Sequence, residues 1–166
     1  ITIYLPSFCE PQLIELLNKF PDHRFQVFSR ETSLIREEKH IQFMPVDREL
    51  FTRSMIGCAG IICGAGFETP AEAIHLGKKI MTIPISGQYE QQCNAAGLEK
   101  LGIRCLPAID HTFEQHFNAW INDPTPAVKR DYSNSIRESL TYLFSLSPSR
   151  LKESVQSAYE NTAALL

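Results

Sequence analysis

The stretch Cys-Gly-Ala-Gly-Phe-Glu-Thr-Pro-Ala-Glu-Ala, residues 63–73, decides how this chain is organised. The preceding Gly60-Ile61-Ile62 predicts a short buried strand, and the residues that follow, as far as Gly77, have the apolar spacing of a helix. A strand that breaks at glycines and feeds a helix aims several backbone N–H groups at one point. Because the positive end of the helix dipole lies there too, the pattern predicts a site for an anion such as a diphosphate.

The two glycines of this turn, Gly64 and Gly66, also permit a simpler interpretation, a tight turn that binds nothing. The motif is not the dinucleotide-binding fingerprint, because Thr69 stands where the third glycine would be. It is not a Walker loop either, since no Gly-Lys-Ser/Thr follows. Taken alone, the turn therefore leaves both interpretations open.

Short apolar runs alternate with helical patterns along the rest of the chain, which predicts a parallel sheet covered by helices on both faces. In such sheets ligands bind beyond the carboxyl ends of the strands, where the loops of interest lie. Residues 29–40 are polar and predicted to be irregular. The predicted strands are 1–5, 24–28, 41–44, 60–63, 80–85 and 103–106; the predicted helices start at Pro11 and Asp47 and cover 70–76, 88–101, 111–121, 131–146 and 148–166.

The composition is that of an ordinary globular domain, with 166 residues, 43% apolar and 21% charged. A formal net charge of −3 argues against non-specific binding to nucleic acid, and no apolar run is long enough to span a bilayer. The five cysteines form no Cys-x-x-Cys pair and the histidines are scattered, so we expect a reduced, cytoplasmic protein without a metal site. The chain opens in a strand without a methionine, which we take to indicate a piece of a longer chain.

Glu72 has two possible roles. With Thr69 as N-cap and Pro70 at the first helical position, Glu72 completes a capping box and binds the backbone N–H of Thr69. Alternatively, its carboxylate accepts both hydroxyls of a ribose lying over the turn. The spacing alone slightly favours the capping box.

A second polar segment, residues 84–95, follows the next strand and should emerge at the same edge of the sheet. It concentrates amide and carboxylate groups, and the spacing of Glu90 and Asn94 places them on one helical face, flanked by Gln91. Such groups suit hydrogen bonds to a neutral polyol. A helix that merely begins with polar residues is an equally good interpretation of this segment alone.

Together, residues 60–102 resemble the donor-nucleotide half of the GT-B glycosyltransferases. This family includes the N-acetylglucosaminyl transferase of peptidoglycan synthesis and the UDP-glycosyltransferases. The likeness runs through the glycine turn and its helix, then Gly77-Lys78-Lys79, Ile83-Pro84, and residues 90–95 and 98–102. It implies one GT-B half, a Rossmann-like parallel sheet of about six strands with helices on both faces, in which residues 1–166 form a single donor-binding domain ending in helices over 127–166.

The resemblance also implies roles for individual residues. The backbone around Gly66 would bind the diphosphate, Glu72 the ribose, Glu90 and Gln91 the donor sugar, and Asn94 would support the sugar loop. More loosely, the backbone of residues 44–46 would hold the base, and a residue after the first strand would approach the phosphates. The implied donor-binding residues are Ser7, Met44, Val46, Gly64, Ala65, Gly66, Phe67, Thr69, Glu72, Glu90, Gln91 and Asn94.

The implied function is binding of a nucleoside-diphosphate sugar, UDP-linked by family precedent, for metal-independent and cofactor-free transfer to an acceptor. The acceptor and the catalytic base would belong to a missing N-terminal domain, as would any membrane association, so no catalytic residue is assigned and the isolated domain should be inactive. Half of a nucleotide-sugar epimerase, a natural donor-binding subunit of a split GlcNAc transferase, and a non-binding interaction module are the alternatives. The Glu90-Gln91 pair followed by Asn94-Ala95 favours the transferase.

Overall fold

The computed structural model describes residues 1–145 of the chain, which divides into two compact units, Ile1–Arg130 and Asp131–Leu166. The first unit holds one seven-stranded sheet in the order β3-β4-β2-β1-β5-β6-β7. Of the second unit, the described part contains a single helix, α6 (Ser135–Ser145). The remaining elements are β1 (Thr2–Tyr4), α1 (Glu10–Leu17), β2 (Phe25–Ser29), β3 (Arg36–Glu38), β4 (Ile41–Pro45), α2 (Arg48–Gly57), β5 (Gly60–Cys63), α3 (Glu68–Leu76), β6 (Lys79–Thr82), α4 (Tyr89–Lys100), β7 (Arg104–Cys105) and α5 (Phe113–Ile121).

The six strands other than β3 are parallel, as the alternating pattern predicts. Numbered along the chain, these six lie in the order third, second, first, fourth, fifth, sixth across the sheet. This is the Rossmann-like order, in which the direction of winding reverses between the first and fourth strands, here β1 and β5. Ligands of such sheets bind in the crevice beyond the carboxyl ends of the strands at that reversal. The loops after β1 and β5 therefore flank the expected crevice.

Two apolar clusters lie on the two faces of the sheet. Alternation along β5 shows the division, since Ile62 belongs to the cluster with α1 and α5, whereas Ile61 and Cys63 belong to the cluster with α2, α3 and α4. The first cluster is aromatic where Phe113, Phe117 and Trp120 of α5 enter it. Helices on both faces are the arrangement that the sequence predicts.

The edge strand β3 is the one strand that the sequence pattern misses, because residues 29–40 are predicted to be irregular. It pairs antiparallel with β4 on one side only, and its three residues are Arg, Glu and Glu. The Arg36 guanidinium lies 4.2 Å from the centre of the Phe43 ring and so covers the end of the core. A short, charged edge strand has no apolar alternation, which is the signal that reveals strands in sequence.

Most other boundaries agree with prediction to within a few residues. β5 matches its prediction, residues 60–63, at both ends, and Asp47 caps α2 by accepting a hydrogen bond from the Leu50 N–H at 2.9 Å. The sixth predicted strand shortens to two residues, and the predicted helix over 131–146 is seen as Ser135–Ser145. The predicted helix over 148–166 lies outside the described residues. No helix within residues 1–145 combines the length and apolar character needed to cross a bilayer.

Candidate functional site

The turn between β5 and α3 carries backbone N–H groups that the protein itself does not use. The first N–H bonded within α3 is that of Ala71, which donates to the Phe67 carbonyl at 3.2 Å, and Pro70 has no N–H to offer. Among the described residues, no acceptor binds the N–H groups of residues 66–69. These groups lie at the positive end of a nine-residue helix, an arrangement that favours a bound anion.

The capping-box interpretation of Glu72 is wrong. α3 begins at Glu68, and its N-cap is Phe67, which makes no side-chain capping bond. Thr69 therefore lies inside the first turn with helical neighbours on both sides and cannot act as an N-cap for Glu72. Within residues 1–145 the exposed Glu72 carboxylate has no hydrogen-bond or ion-pair partner, so it is free to meet a ligand.

The two glycines of the turn differ in what surrounds them. A Cβ atom at Gly64 would lie 3.3 Å from the Gln91 Oε1 atom, which is tighter than ordinary contact. A Cβ atom at Gly66 would meet nothing within 4 Å. Gly64 thus leaves room for the close approach of Gln91, whereas the space beside Gly66 is open.

Side chains from α4 hold the turn in place. Gln91 Oε1 accepts hydrogen bonds from the N–H groups of Ala65 at 3.2 Å and Ile85 at 3.0 Å. Asn94 Nδ2 donates to the Ala65 carbonyl at 3.1 Å. This contact joins Asn94 to the glycine turn, whereas the resemblance implies that Asn94 supports the sugar loop.

Exposed side chains follow β5 and β6 at this edge of the sheet. Phe67 is 79% exposed although it is aromatic, and Tyr89 at the start of α4 is 75% exposed. Glu90 is exposed and, within the described part of the chain, makes no hydrogen bond or ion pair. Carboxylate, aromatic and backbone N–H groups thus meet at the carboxyl ends of β5 and β6.

Comparison with known protein families identifies the family to which this chain belongs. The sequence model described as glycosyl transferase family 1 matches residues 1–121, from β1 through the end of α5. The chain belongs to this family of glycosyl transferases. No curated protein matches the chain. Transfer of a glycosyl group is therefore the general activity to which this fold contributes.

The other residues predicted for this glycosyl transferase family 1 domain lie at the same edge but farther along it. Ser7 is exposed in the loop after β1, the strand that pairs with β5. Residues 44–46 end β4, which is separated from β1 by β2. The Met44 side chain is buried, so only its backbone would be available to a ligand, whereas Val46 is 50% exposed. From β4 to β5 is three strand spacings, about 14 Å, so a ligand touching all these residues must be elongated.

Lys78 and Lys79, which belong to a segment that the resemblance includes, have a structural role. They lie at the amino edge of the sheet, opposite the glycine turn. Lys78 Nζ donates to the carbonyls of Ile56 at 2.5 Å, in the last turn of α2, and of Cys58 at 3.1 Å, just after it. Lys79 Nζ binds carbonyls at the end of α5, among them that of Ile121 at 3.2 Å. Cations at helix C-termini complement the negative end of the dipole. These two lysines therefore anchor helices and do not supply positive charge to the turn.

The cavity of about 800 Å³ beside the amino ends of β2 and β4 is a separate feature of the domain. Three of its lining side chains are linked by hydrogen bonds, from Ser54 to Gln26 at 2.7 Å and from Gln26 to Gln42 at 2.9 Å, and Ser54 also bonds to the neighbouring Thr2 at 2.7 Å. Gln42 continues the chain to Glu37. Because this cavity lies at the amino ends of the strands, whereas ligands of such sheets bind beyond the carboxyl ends, we assign the candidate functional site to the open turn.

Cys63, the last residue of β5, directly precedes the glycine turn. Burial, together with the nearby Cys105, raises the pKa of Cys63 to about 12, so its thiol stays protonated at neutral pH. Within residues 1–145, no three His, Cys, Asp or Glu side chains come together as a metal site would require.

Proposed function

We propose that this chain is the donor-binding domain of its glycosyl transferase and binds a nucleoside-diphosphate sugar across the carboxyl edge of the sheet. The observation that carries the proposal is the open start of α3, with unused N–H groups beside Gly66. Its position next to the winding reversal is where nucleotides bind in such sheets. The family match supports glycosyl transfer over epimerisation.

The proposed pose follows from the placement of the groups. The diphosphate lies at the α3 start, where the helix dipole and N–H groups of residues 66–69 stabilise its charge. Glu72, one turn into α3, accepts the ribose hydroxyls, and the base extends toward residues 44–46. Glu90 at the start of α4 faces the donor sugar. The resemblance implies that Gln91 contacts the same sugar, an alternative that is tested below.

The same groups assist the reaction. As the glycosidic bond breaks, negative charge grows on the departing diphosphate, and fixed N–H donors stabilise that charge without having to reorient. An acceptor and a base to deprotonate it must come from elsewhere in the full protein. We therefore expect this chain to bind the donor without transferring the sugar by itself.

A calorimetric titration of the chain with UDP, TDP, GDP and ADP tests the proposal. We expect one diphosphate, UDP by family precedent, to bind selectively. We expect Glu72→Gln to weaken that binding about tenfold, because a charged hydrogen bond to the ribose is lost. Glu99→Gln, which removes an exposed carboxylate near the other end of α4, is the matched control and should bind like the wild type.

Two results would contradict this reading in different ways. If no nucleotide binds at millimolar concentration while circular dichroism shows a folded chain, the chain alone is not a donor-binding domain. If Glu72→Gln binds as tightly as the wild type, the ribose is held by another group.

A further inference from the structure

The geometry points to Gln91 as a positioning residue that holds the phosphate-binding turn, and not as a group that contacts the donor sugar. This inference rests on the proposed function, since it names what fixes the diphosphate site. It differs from the role that the resemblance implies for Gln91, and the two roles make opposite predictions for sugar-free nucleotides.

The first argument is that the Gln91 carboxamide is already occupied. Its Oε1 atom accepts from Ala65 N–H after β5 and from Ile85 N–H after β6. Two N–H donors converging on one atom require an acceptor, so the oxygen and not the nitrogen must face them. The Nε2 atom in turn donates to Gln88 Oε1 at 2.9 Å, which fixes the same orientation from the other side.

The two hydrogen bonds that Gln91 Oε1 accepts from Ala65 and Ile85 are called the bracket below. The second argument is that neighbouring residues fit around this bracket. Gly64 leaves the room that Gln91 Oε1 occupies, since a Cβ there would approach it to 3.3 Å. Asn94, three residues after Gln91 and so on the same face of α4, binds the Ala65 carbonyl. Both polar backbone groups of Ala65 are therefore held by α4, and its side chain is fully buried.

The bracket decides which backbone groups remain for a ligand. The N–H of Ala65 is used inside the protein, so the free donors begin at Gly66. Because the turn is tied to the loop after β6, their direction is set before a ligand arrives, which lowers the cost of binding. Loss of Gln91 should therefore weaken binding of the diphosphate itself, whether or not a sugar is attached.

The test compares Gln91→Leu with Gln92→Leu, its exposed neighbour, whose side chain has no partner among the described residues. The ligands are UDP and UDP-N-acetylglucosamine, measured by calorimetry. We expect Gln91→Leu to weaken both ligands by the same factor, about tenfold, because two partly buried N–H groups lose their acceptor. Gln92→Leu should bind both as the wild type does.

Amide hydrogen exchange supplies a readout that needs no ligand. The N–H groups of Ala65 and Ile85 should be protected in the wild type and in Gln92→Leu, and should exchange faster in Gln91→Leu. Gln91→Glu retains an acceptor oxygen at this position and should restore protection, which also covers the case in which Gln91→Leu does not fold.

Several outcomes would overturn the inference. Unchanged UDP binding in Gln91→Leu with weaker binding of UDP-N-acetylglucosamine alone would make Gln91 a sugar contact. Rapid exchange of Ala65 and Ile85 in the wild type would show that the bracket does not form. If the wild type binds neither ligand, the proposed function fails, and with it any role of Gln91 in binding the nucleotide. The exchange rates would still decide whether Gln91 holds the turn.

Discussion

The starts of α1 and α3 follow neighbouring strands of the same sheet, but they differ in whether their backbone N–H groups have partners. At α1 the Cys9 N–H is bound by Gln12 Oε1 at 3.1 Å, and the buried Glu10 carboxylate sits at the first helical position. At α3 no side chain caps the helix, and the N–H groups before its first internal bond are unused among the described residues. Both helices have the same dipole, so the dipole alone does not make a site.

The α1 start is closed by contacts from the strand region beside it. Glu10 accepts a hydrogen bond from Thr32 Oγ1 at 2.6 Å and pairs with Arg36. Burial pushes the pKa of Glu10 upward, but hydrogen bonds from Ser29, Thr32 and Arg36 outweigh it, and the pKa lies below its ordinary value. The carboxylate thus stays charged and links α1 to the loop before β3. The Arg36 guanidinium takes part in this link through its ion pair with Glu10.

On the proposed function, the difference between the two starts is that the protein leaves the N–H groups of the α3 start unsatisfied and the space beside them empty. In dinucleotide-binding sheets the glycine-rich phosphate turn follows the first strand. In this chain the loop after β1, residues 5–9, has no glycine and leads into a closed start. The glycine turn follows the fourth parallel strand, which would place the proposed anion site on the other side of the winding reversal.

The largest expected effect comes from filling the open start. In Gly66→Leu the new side chain would enter the space that we assign to the diphosphate, so affinity for UDP should fall by at least about a hundredfold. Folding should be unaffected, because a Cβ there meets no atom within 4 Å. Gly97→Leu, where a Cβ also meets nothing, is the control and should bind normally. Normal UDP binding by Gly66→Leu would place the diphosphate elsewhere.

Breaking the closed start should affect stability instead of binding. Glu10→Ala leaves the partners of a buried carboxylate without their acceptor, and we expect the free energy of unfolding to fall by about 1–3 kcal/mol. Affinity for UDP should stay within about twofold of the wild type. The control is Glu15→Ala on the same helix, which removes an exposed carboxylate without a partner in the described structure. A large loss of UDP affinity in Glu10→Ala would mean that both starts serve the ligand.

The pH dependence sharpens this second test. Because the pKa of Glu10 is lowered by folding, its stabilisation is present above the ordinary value of 4.5 and is lost as the pH falls through the folded value. The difference in unfolding free energy between wild type and Glu10→Ala should therefore be full at pH 7 and shrink toward pH 3. Urea unfolding at both pH values measures it, and a difference that grows on acidification would reverse the assignment.

The smallest expected effect concerns how the open start is held. In Gly64→Ala the new methyl group would press on Gln91 Oε1, and we expect UDP affinity to fall about threefold as the bracket loosens. In a Gln91→Leu background the same change should cost nothing further, because the strained contact is gone. Equal losses in both backgrounds would mean that Gly64 serves the ligand directly.

Local pattern accounts for much of what the sequence predicts correctly. β5 is found at its predicted residues, because a short apolar run ended by glycines is a local signal. The cap at Asp47 is likewise local, since its side chain reaches an N–H three residues along the chain. The start of α3 is missed by two residues because Thr69 and Pro70 suit a helix start in isolation, and sequence cannot show that Phe67 already has helical dihedral angles.

The sequence by itself determines the alternation of strands and helices, the parallel sheet and the place of the glycine turn, because each depends on residues that are neighbours along the chain. The tertiary structure decides that Gly64 lies against Gln91 and that Gly66 borders open space. It also decides that Gln91 reaches Ala65, 26 residues away. These contacts exist because β5 pairs with β6 in one register, bringing their carboxyl ends together. No local pattern encodes that meeting, since it depends on which strands become neighbours.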